Sequence, residues 1–192
     1  MDPVKVKGVT EWKMPKNKKE LQMFLGFVNF YRCFIKDFAK IAHPLHKLTG
    51  KAKWEWTSDQ QKAFEALKMA ITTAPVLRMP LDDGKYKVEA DSSDYATGAV
   101  LSQEQDGRWH PIAFLSRSLS DTECNYDIFD KEMLVIIRAL EEWRHHLQGA
   151  KEPFEIWTDH QNLKYFTTMK KLNRRQARWA LFLSEFNFLL HH

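Results

Sequence analysis

Apolar residues recur at spacings of three and four through the first third of the chain and at a spacing of two just after it, so the hydrophobic pattern divides the molecule before composition is considered. Leu21, Phe24, Val28, Tyr31 and Ile35 make one helical stripe, with Asn17 placed to cap its start. Gly26 lies inside this helix at a cost in stability relative to alanine, which predicts close approach of a packed helix or, as the lesser reading, of a nucleic-acid backbone. A second short helix is expected over about residues 36–48. A third, capped by Thr57 or Ser58, carries Ala63, Phe64, Leu67 and Ile71 before Pro75 stops it. Phe24, Phe27, Phe30, Tyr31 and Phe34 could stack on bases, but aromatics at helical spacing are predicted as core. Residues 1–13 show no period and read as a tail or an upstream boundary.

From Tyr86 the period becomes two: Tyr86, Val88 and Ala90 share one face of a strand, and Lys87, Glu89 and Asp91 share the other. Further strands are expected over about residues 98–103 and 111–116, joined as an antiparallel hairpin by a turn containing Asp106-Gly107. After Ser120, one long helix is predicted from Phe129, Met133, Ile136, Leu140, Trp143 and Leu147, with Glu132 at the edge of its packed face. A strand over 154–158 leads into Asp159. Helices over about 160–168 and 174–184 and a last strand over 186–192 complete the pattern. The fold class is α/β: a five-stranded mixed sheet flanked by helices and preceded by a small helical module. The expected division is a tail at 1–13, a helical module at 14–80 and a sheet domain at 81–192.

With 192 residues, 44% of them hydrophobic, the chain can bury a core or two small ones. It has no apolar run of about 18 residues and no charged-then-apolar leader, so neither a membrane span nor a signal peptide is expected, and a soluble intracellular protein is the default. Cys33 and Cys124 have no metal-ligand spacing and read as buried or incidental thiols. The formal charge of +4 hides an asymmetry: residues 1–80 hold 15 Lys/Arg against 7 Asp/Glu, and residues 81–192 hold 14 against 18. A basic first part suits a polyanion, and an acidic second part suits carboxylates that need cations, although solvated charged faces would read the same way.

Three acids in three settings are the candidate chemistry: Asp91 on a strand, Glu132 on the long helix and Asp159 after a neighbouring strand. Such positions can meet at one end of a sheet, and Mg²⁺ asks for several hard oxygen ligands. Each also has an ordinary explanation. Asp91 could end a strand, Glu132 could be a surface acid beside Lys131, and Asp159 could cap the next helix.

The blocks FLGFVNFYRCFI, WEWTSDQQKAFEALK, EADSSDYATGAVLSQ, PIAFLSRSLSDTECNYDIFDKE and WTDHQNL occur in the order found in gypsy-type LTR retrotransposon polyproteins, and residues 14–192 resemble their reverse transcriptase thumb followed by RNase H. The resemblance implies the RNase H fold and hydrolysis of the RNA strand of RNA/DNA hybrids with Mg²⁺, for which Mn²⁺ can substitute. It makes Asp91, Glu132 and Asp159 three of the family's metal-binding carboxylates. The family's fourth, an aspartate further on, has no counterpart, because Glu185 is the only acid after Asp159 and lies in another block. Truncation is the expected reason, and weak hydrolysis or a catalytically silent hybrid-binding module the expected consequence. His191 and His192 are not read as ligands. The polymerase's Tyr-x-Asp-Asp motif is also absent, so the chain is not expected to make DNA alone.

Lys164, Lys170, Lys171, Arg174, Arg175 and Arg178 alternate with aromatics and no acid, which suits a grip on a phosphate backbone, with a solvated helix face as the alternative. In the helical module Lys16, Lys18, Lys19 and Arg32 could play the thumb's part on the primer–template. The implied partners are an RNA/DNA hybrid and the upstream fingers and palm of the same polyprotein, with no membrane. The implied location is intracellular, in cytoplasmic virus-like particles and the nucleus.

Overall fold

The computed structural model of the chain describes residues 8–73, 77–159 and 172–192. Pro75 and the helix expected over 160–168 lie outside these residues. Helix α1 (Lys18–Phe30) starts where Asn17 predicts: the Asn17 Oδ1 accepts the Glu20 N–H at 3.0 Å, and Asn17 Nδ2 donates to Glu20 Oε1 at 2.9 Å. The helix ends earlier than its apolar stripe. Arg32–Phe34 form a single 3₁₀ turn, through which Tyr31 and Ile35 stay buried. Helices α2 (Phe38–Thr49) and α3 (Ser58–Thr73) complete a module whose core joins Leu21, Phe24 and Val28 to Ala42, Leu45, Phe64 and Leu67.

Cys33 is exposed on the 3₁₀ turn, in keeping with the incidental thiol of its two readings. Two expectations for this module are corrected. Phe30 is 73% exposed, because it falls on the outward side of the α1 stripe. A Cβ added to Gly26 would meet nothing within 4 Å, so no close approach explains that glycine.

Strands β1 (Tyr86–Ser92), β2 (Ala96–Gln105) and β3 (Arg108–Ser118) form an antiparallel meander, and β4 (Phe154–Trp157) and β5 (Phe188–His191) extend it in parallel. The order β3-β2-β1-β4-β5 is a five-stranded mixed sheet flanked by helices. Asp106 (φ 54°) and Gly107 (φ 71°) both adopt the left-handed conformation that a tight two-residue hairpin requires.

The single helix expected after Ser120 is divided into α4 (Asp121–Cys124), α5 (Ile128–Glu142) and α6 (Arg144–Leu147). The physical reason is a second start signal: the Asp127 side chain accepts the Asp130 N–H at 2.8 Å and begins α5 afresh. Helix α5 is buried on nearly every side because it lies between the sheet and α7 (Arg174–Leu183). Its Val135, Ile136, Ala139 and Leu140 pack with Val88, Leu101, Phe154 and Ile156 of the sheet. Each large aliphatic or aromatic side chain buried there contributes about 1.5–3 kcal/mol.

The segment before β1 is strapped to the hairpin. Fully buried Gln103 receives the Leu81 N–H at 2.8 Å and donates to the Leu81 carbonyl at 2.9 Å, which mimics strand pairing through a side chain. The helical module touches the sheet where the Ala39 N–H donates to Ser116 Oγ at 2.8 Å and the His43 ring stacks on Tyr95 at 4.2 Å.

Candidate metal centre

The β1–β4 register determines the site. Lys87, Val88 and Glu89 pair with Glu155, Ile156 and Trp157, so continuing two residues along both parallel strands brings Asp159 beside Asp91. Alternation along β1 turns Val88 and Ala90 into the core and leaves Asp91 on the open side. Glu132 enters from the early part of α5 and is only 3% exposed. One carboxylate oxygen from each of Asp91, Glu132 and Asp159 lies within 4.8 Å of the other two. The structure therefore brings together all three acids.

Glu132 is held from both sides. Ser92 Oγ donates to its Oε1 at 2.6 Å and Thr158 Oγ1 donates to its Oε2 at 3.3 Å. These hydroxyls come from the residues adjoining Asp91 and Asp159, so the backbone that delivers the outer carboxylates also orients the buried one. Burial first, then the charges of Asp159 and Asp91, push the Glu132 carboxyl above its ordinary range, against the opposing hydroxyl bonds. Burial first and then Asp159 also raise Asp91, while the Lys40 ammonium opposes the shift. A partly buried cluster of carboxylates that repel one another is a site built for positive charge. Its all-oxygen donor set suits a hard divalent cation such as Mg²⁺.

Among the described residues no fourth carboxylate joins the cluster. Asp37 and Glu89 line the same groove of about 330 Å³, together with Lys36, Trp157 and Asp159. Glu185 is remote in function: it pairs with Arg144. His191 stacks on Trp157 at 4.9 Å, and His192 Nε2 lies 2.9 Å from the main-chain oxygen of Asp159, so neither ring belongs to the carboxylate cluster.

The basic candidates separate. Lys164, Lys170 and Lys171 lie outside the described residues. Arg174 and Arg178 are exposed on α7. Arg175 turns inward, where it pairs with buried Asp130 and lies over the Tyr126 ring at 3.8 Å; this contact holds α7 to α5 and takes the guanidinium off the open surface. Lys16, Lys19 and Arg32 are exposed, whereas Lys18 donates to the Gly50 carbonyl at 2.8 Å. None of these four lines the carboxylate groove. The cations of the helical module that do approach the site are Lys36 and Lys40, which the sequence reading does not single out.

Residues 82–186 match the family described as the RNase H-like domain found in reverse transcriptase. The Tf2-3 and Tf2-4 transposon polyproteins of Schizosaccharomyces pombe are each 44% identical to this chain over 188 residues, which cover 96% of the chain and 14% of each polyprotein. The chain thus spans a small part of the curated relatives it matches. Among solved structures, the foamy viral protease-reverse transcriptase in complex with RNA/DNA hybrid aligns with a TM-score of 0.74 at 23% identity, over 100% of this chain and 27% of that one. The same viral protein in complex with dsDNA aligns at 0.79 and 22% identity, over 100% and 41%. At these identities the structural likeness establishes the fold.

Proposed function

The chain belongs to the RNase H-like domains found in reverse transcriptases, and from that premise we propose that it is the thumb and RNase H portion of a gypsy-type retrotransposon polyprotein, hydrolysing the RNA strand of RNA/DNA hybrids. The observation that carries this reading is the meeting of Asp91, Glu132 and Asp159, from a strand, a helix and a second strand end, within 4.8 Å. Asp91 and Asp159 face the groove and would hold divalent cations against a scissile phosphate. Glu132, fixed by Ser92 and Thr158, would complete the ligand set from inside. Bound Mg²⁺ or Mn²⁺ supplies the positive charge that acidifies an attacking water and offsets the charge on the departing 3′ oxygen. Recognition of the hybrid rests on backbone and 2′-hydroxyl contacts, so binding is salt-sensitive and tolerant of sequence. Exposed Lys16, Lys19 and Arg32 of the helical module and Arg174 and Arg178 of α7 are the phosphate contacts this reading assigns among the described residues, with the thumb gripping primer–template beside the polyprotein's fingers and palm.

The test is cleavage of a labelled RNA/DNA hybrid in Mg²⁺ or Mn²⁺ by this chain, by its Asp91→Asn variant and by a longer piece of the polyprotein. Cleavage that requires Asp91 supports the reading. Hybrid binding without cleavage at either length overturns it in favour of a silent binding module, the reading favoured by a cluster of three carboxylates among the described residues.

A further inference from the structure

We propose that Lys36 in the hydrolytic groove and Lys40 in the recess beside it, both from the helical module rather than the sheet domain, hold a backbone phosphate of the bound nucleic acid beside the carboxylate centre. The inference rests on the nuclease reading and adds a cross-module positioning contact to it.

Four features dock the start of α2 on the hairpin. Asp37 is the residue before the helix and has the left-handed backbone (φ 57°) that turns the chain there. The Ala39 N–H donates to Ser116 Oγ at 2.8 Å, and His43 stacks on Tyr95 with the rings 15° from parallel. Asp37 Oδ1 lies so close over Gly98 that a Cβ there would sit 2.8 Å from it. The absent side chain at Gly98 leaves room for the Asp37 carboxylate over β2.

This docking delivers charge to a defined place. Lys36 and Asp37 line the groove that contains Asp91 and Asp159, and Lys40 and Asp37 line a small recess that also reaches Asp91. Lys36 is the only cation among the described residues lining that groove. Neither lysine forms an ion pair among the described residues, and both are exposed. A polyanion approaching a net negative site meets repulsion from every carboxylate not neutralised by metal. Two flexible point charges at the rim relieve that repulsion and can follow a phosphate. Trp157, 40% exposed and stacked on His191, lines the same groove as Lys36. A cation and an aromatic ring beside the carboxylates suit a phosphodiester strand rather than an apolar ligand.

The experiment measures hybrid affinity by fluorescence anisotropy in Ca²⁺ across a salt series, for the chain and its Lys36→Gln/Lys40→Gln and Lys36→Arg/Lys40→Arg variants. The glutamines keep most of each stem and remove the charge. The glutamine variant is expected to bind roughly tenfold more weakly at low salt, with the log–log salt slope reduced by about 1 for each phosphate no longer held, and the arginine variant to restore both. An unchanged affinity and slope, or tighter binding because the lysines block the groove, overturns the proposal. These readouts do not require cleavage, so a chain that binds through the lysines but never cuts would sink the nuclease reading alone. In a cleaving preparation the same glutamine variant should raise KM far more than it lowers kcat.

Discussion

Ser92 Oγ donates to Glu132 Oε1 across 2.6 Å, so the residue that follows Asp91 on β1 orients the buried carboxylate of the same cluster. Replacing this hydroxyl leaves a nearly inaccessible carboxylate with one fewer donor, a loss of about 1–3 kcal/mol by analogy with other unsatisfied buried groups. Ser92→Ala is expected to lower thermal stability by that amount and to weaken Mg²⁺ binding about tenfold, as loss of a ligand's supporting bond commonly does. Calorimetric titration with Mg²⁺ checks it. Unaltered affinity would mean that Thr158 alone orients Glu132.

Asp91 and Glu132 both have carboxyl pKa values raised by burial and by their neighbours' charge. A raised folded-state pKa means that the folded chain binds protons more tightly than the unfolded chain. The favourable contribution is then complete below the ordinary values, 3.8 and 4.5, and is lost as pH rises through the raised ones. Metal-free protein is expected to lose stability over that window, and Mg²⁺ to restore it at neutral pH. Asp91→Asn should raise the metal-free melting temperature and abolish the Mg²⁺-induced increase, both read in thermal scans with and without chelator.

Buried Asp130 pairs with Arg175 and also accepts from Gln176 Nε2 at 2.9 Å, so α7 is fastened to α5 through one carboxylate. Removing a single partner leaves the other charge uncompensated, which costs on the order of 3–5 kcal/mol in a buried pair and less where one member, like Arg175, is 32% exposed. Arg175→Ala, which leaves the buried Asp130 carboxylate uncompensated, is predicted to destabilise by about 3 kcal/mol, and Asp130→Ala, which leaves a partly exposed guanidinium, by less. Arg175→Ala should have little effect on the salt slope of hybrid binding, whereas Arg174→Ala should lower that slope with little loss of stability. Denaturant titration beside salt-dependent anisotropy separates the two.

The sheet and the carboxylates were legible in the sequence because both depend on short-range regularities. Alternation along Tyr86–Asp91 determines which side chains leave the core, Asp106-Gly107 specifies the hairpin, and Asn17 marks a helix start. That Asp91, Glu132 and Asp159 meet was not readable from spacing, because it depends on the β1–β4 register and on Glu132 entering across the sheet; the ordered motif blocks supplied it by resemblance. The interior role of Arg175 was hidden for a similar reason. Its partner Asp130 is 45 residues away, and nothing in a basic stretch tells an inward arginine from an outward one. Lys36 and Lys40 escape a sequence reading because their place near Asp91 is a product of docking between the module and the hairpin. The division of the helix after Ser120 was readable in principle, since Asp127 is a cap residue three positions before Asp130, but the continuous apolar stripe outweighed it.

The stack of His43 on Tyr95 makes the docking of module and sheet sensitive to acid. Burial first, then the positive charge of Lys47 and the neighbouring His46, lower the His43 pKa below its ordinary 6.5. Because the folded value is depressed, the stabilising contribution is present above 6.5 and is lost as pH falls through the lowered value. Acidification over this window is expected to weaken docking, and His43→Phe, which keeps a stacking ring without a titratable nitrogen, should remove that part of the pH dependence. Hydrogen exchange at the Ala39 amide, which reports the bond to Ser116, is the probe: its protection should fall on acidification in the parent and hold in the variant, after correction for the intrinsic exchange rate.

Gly26 and Gly98 offer opposite outcomes for the same substitution. Gly26 lies in the interior of α1 with open space where a side chain would be, and alanine there gains helix propensity and restricts the unfolded chain. Gly26→Ala is expected to stabilise by roughly 0.5–1 kcal/mol. At Gly98 the added methyl would sit 2.8 Å from Asp37 Oδ1, the free end of a side chain that can rotate aside. Gly98→Ala should therefore cost a little stability by turning the Asp37 carboxylate away, while β-sheet content and hybrid affinity stay unchanged. Circular dichroism paired with the anisotropy assay decides the matter: loss of sheet signal would mean that the hairpin yields, and intact sheet with weakened affinity would mean that the start of α2 moves with Asp37.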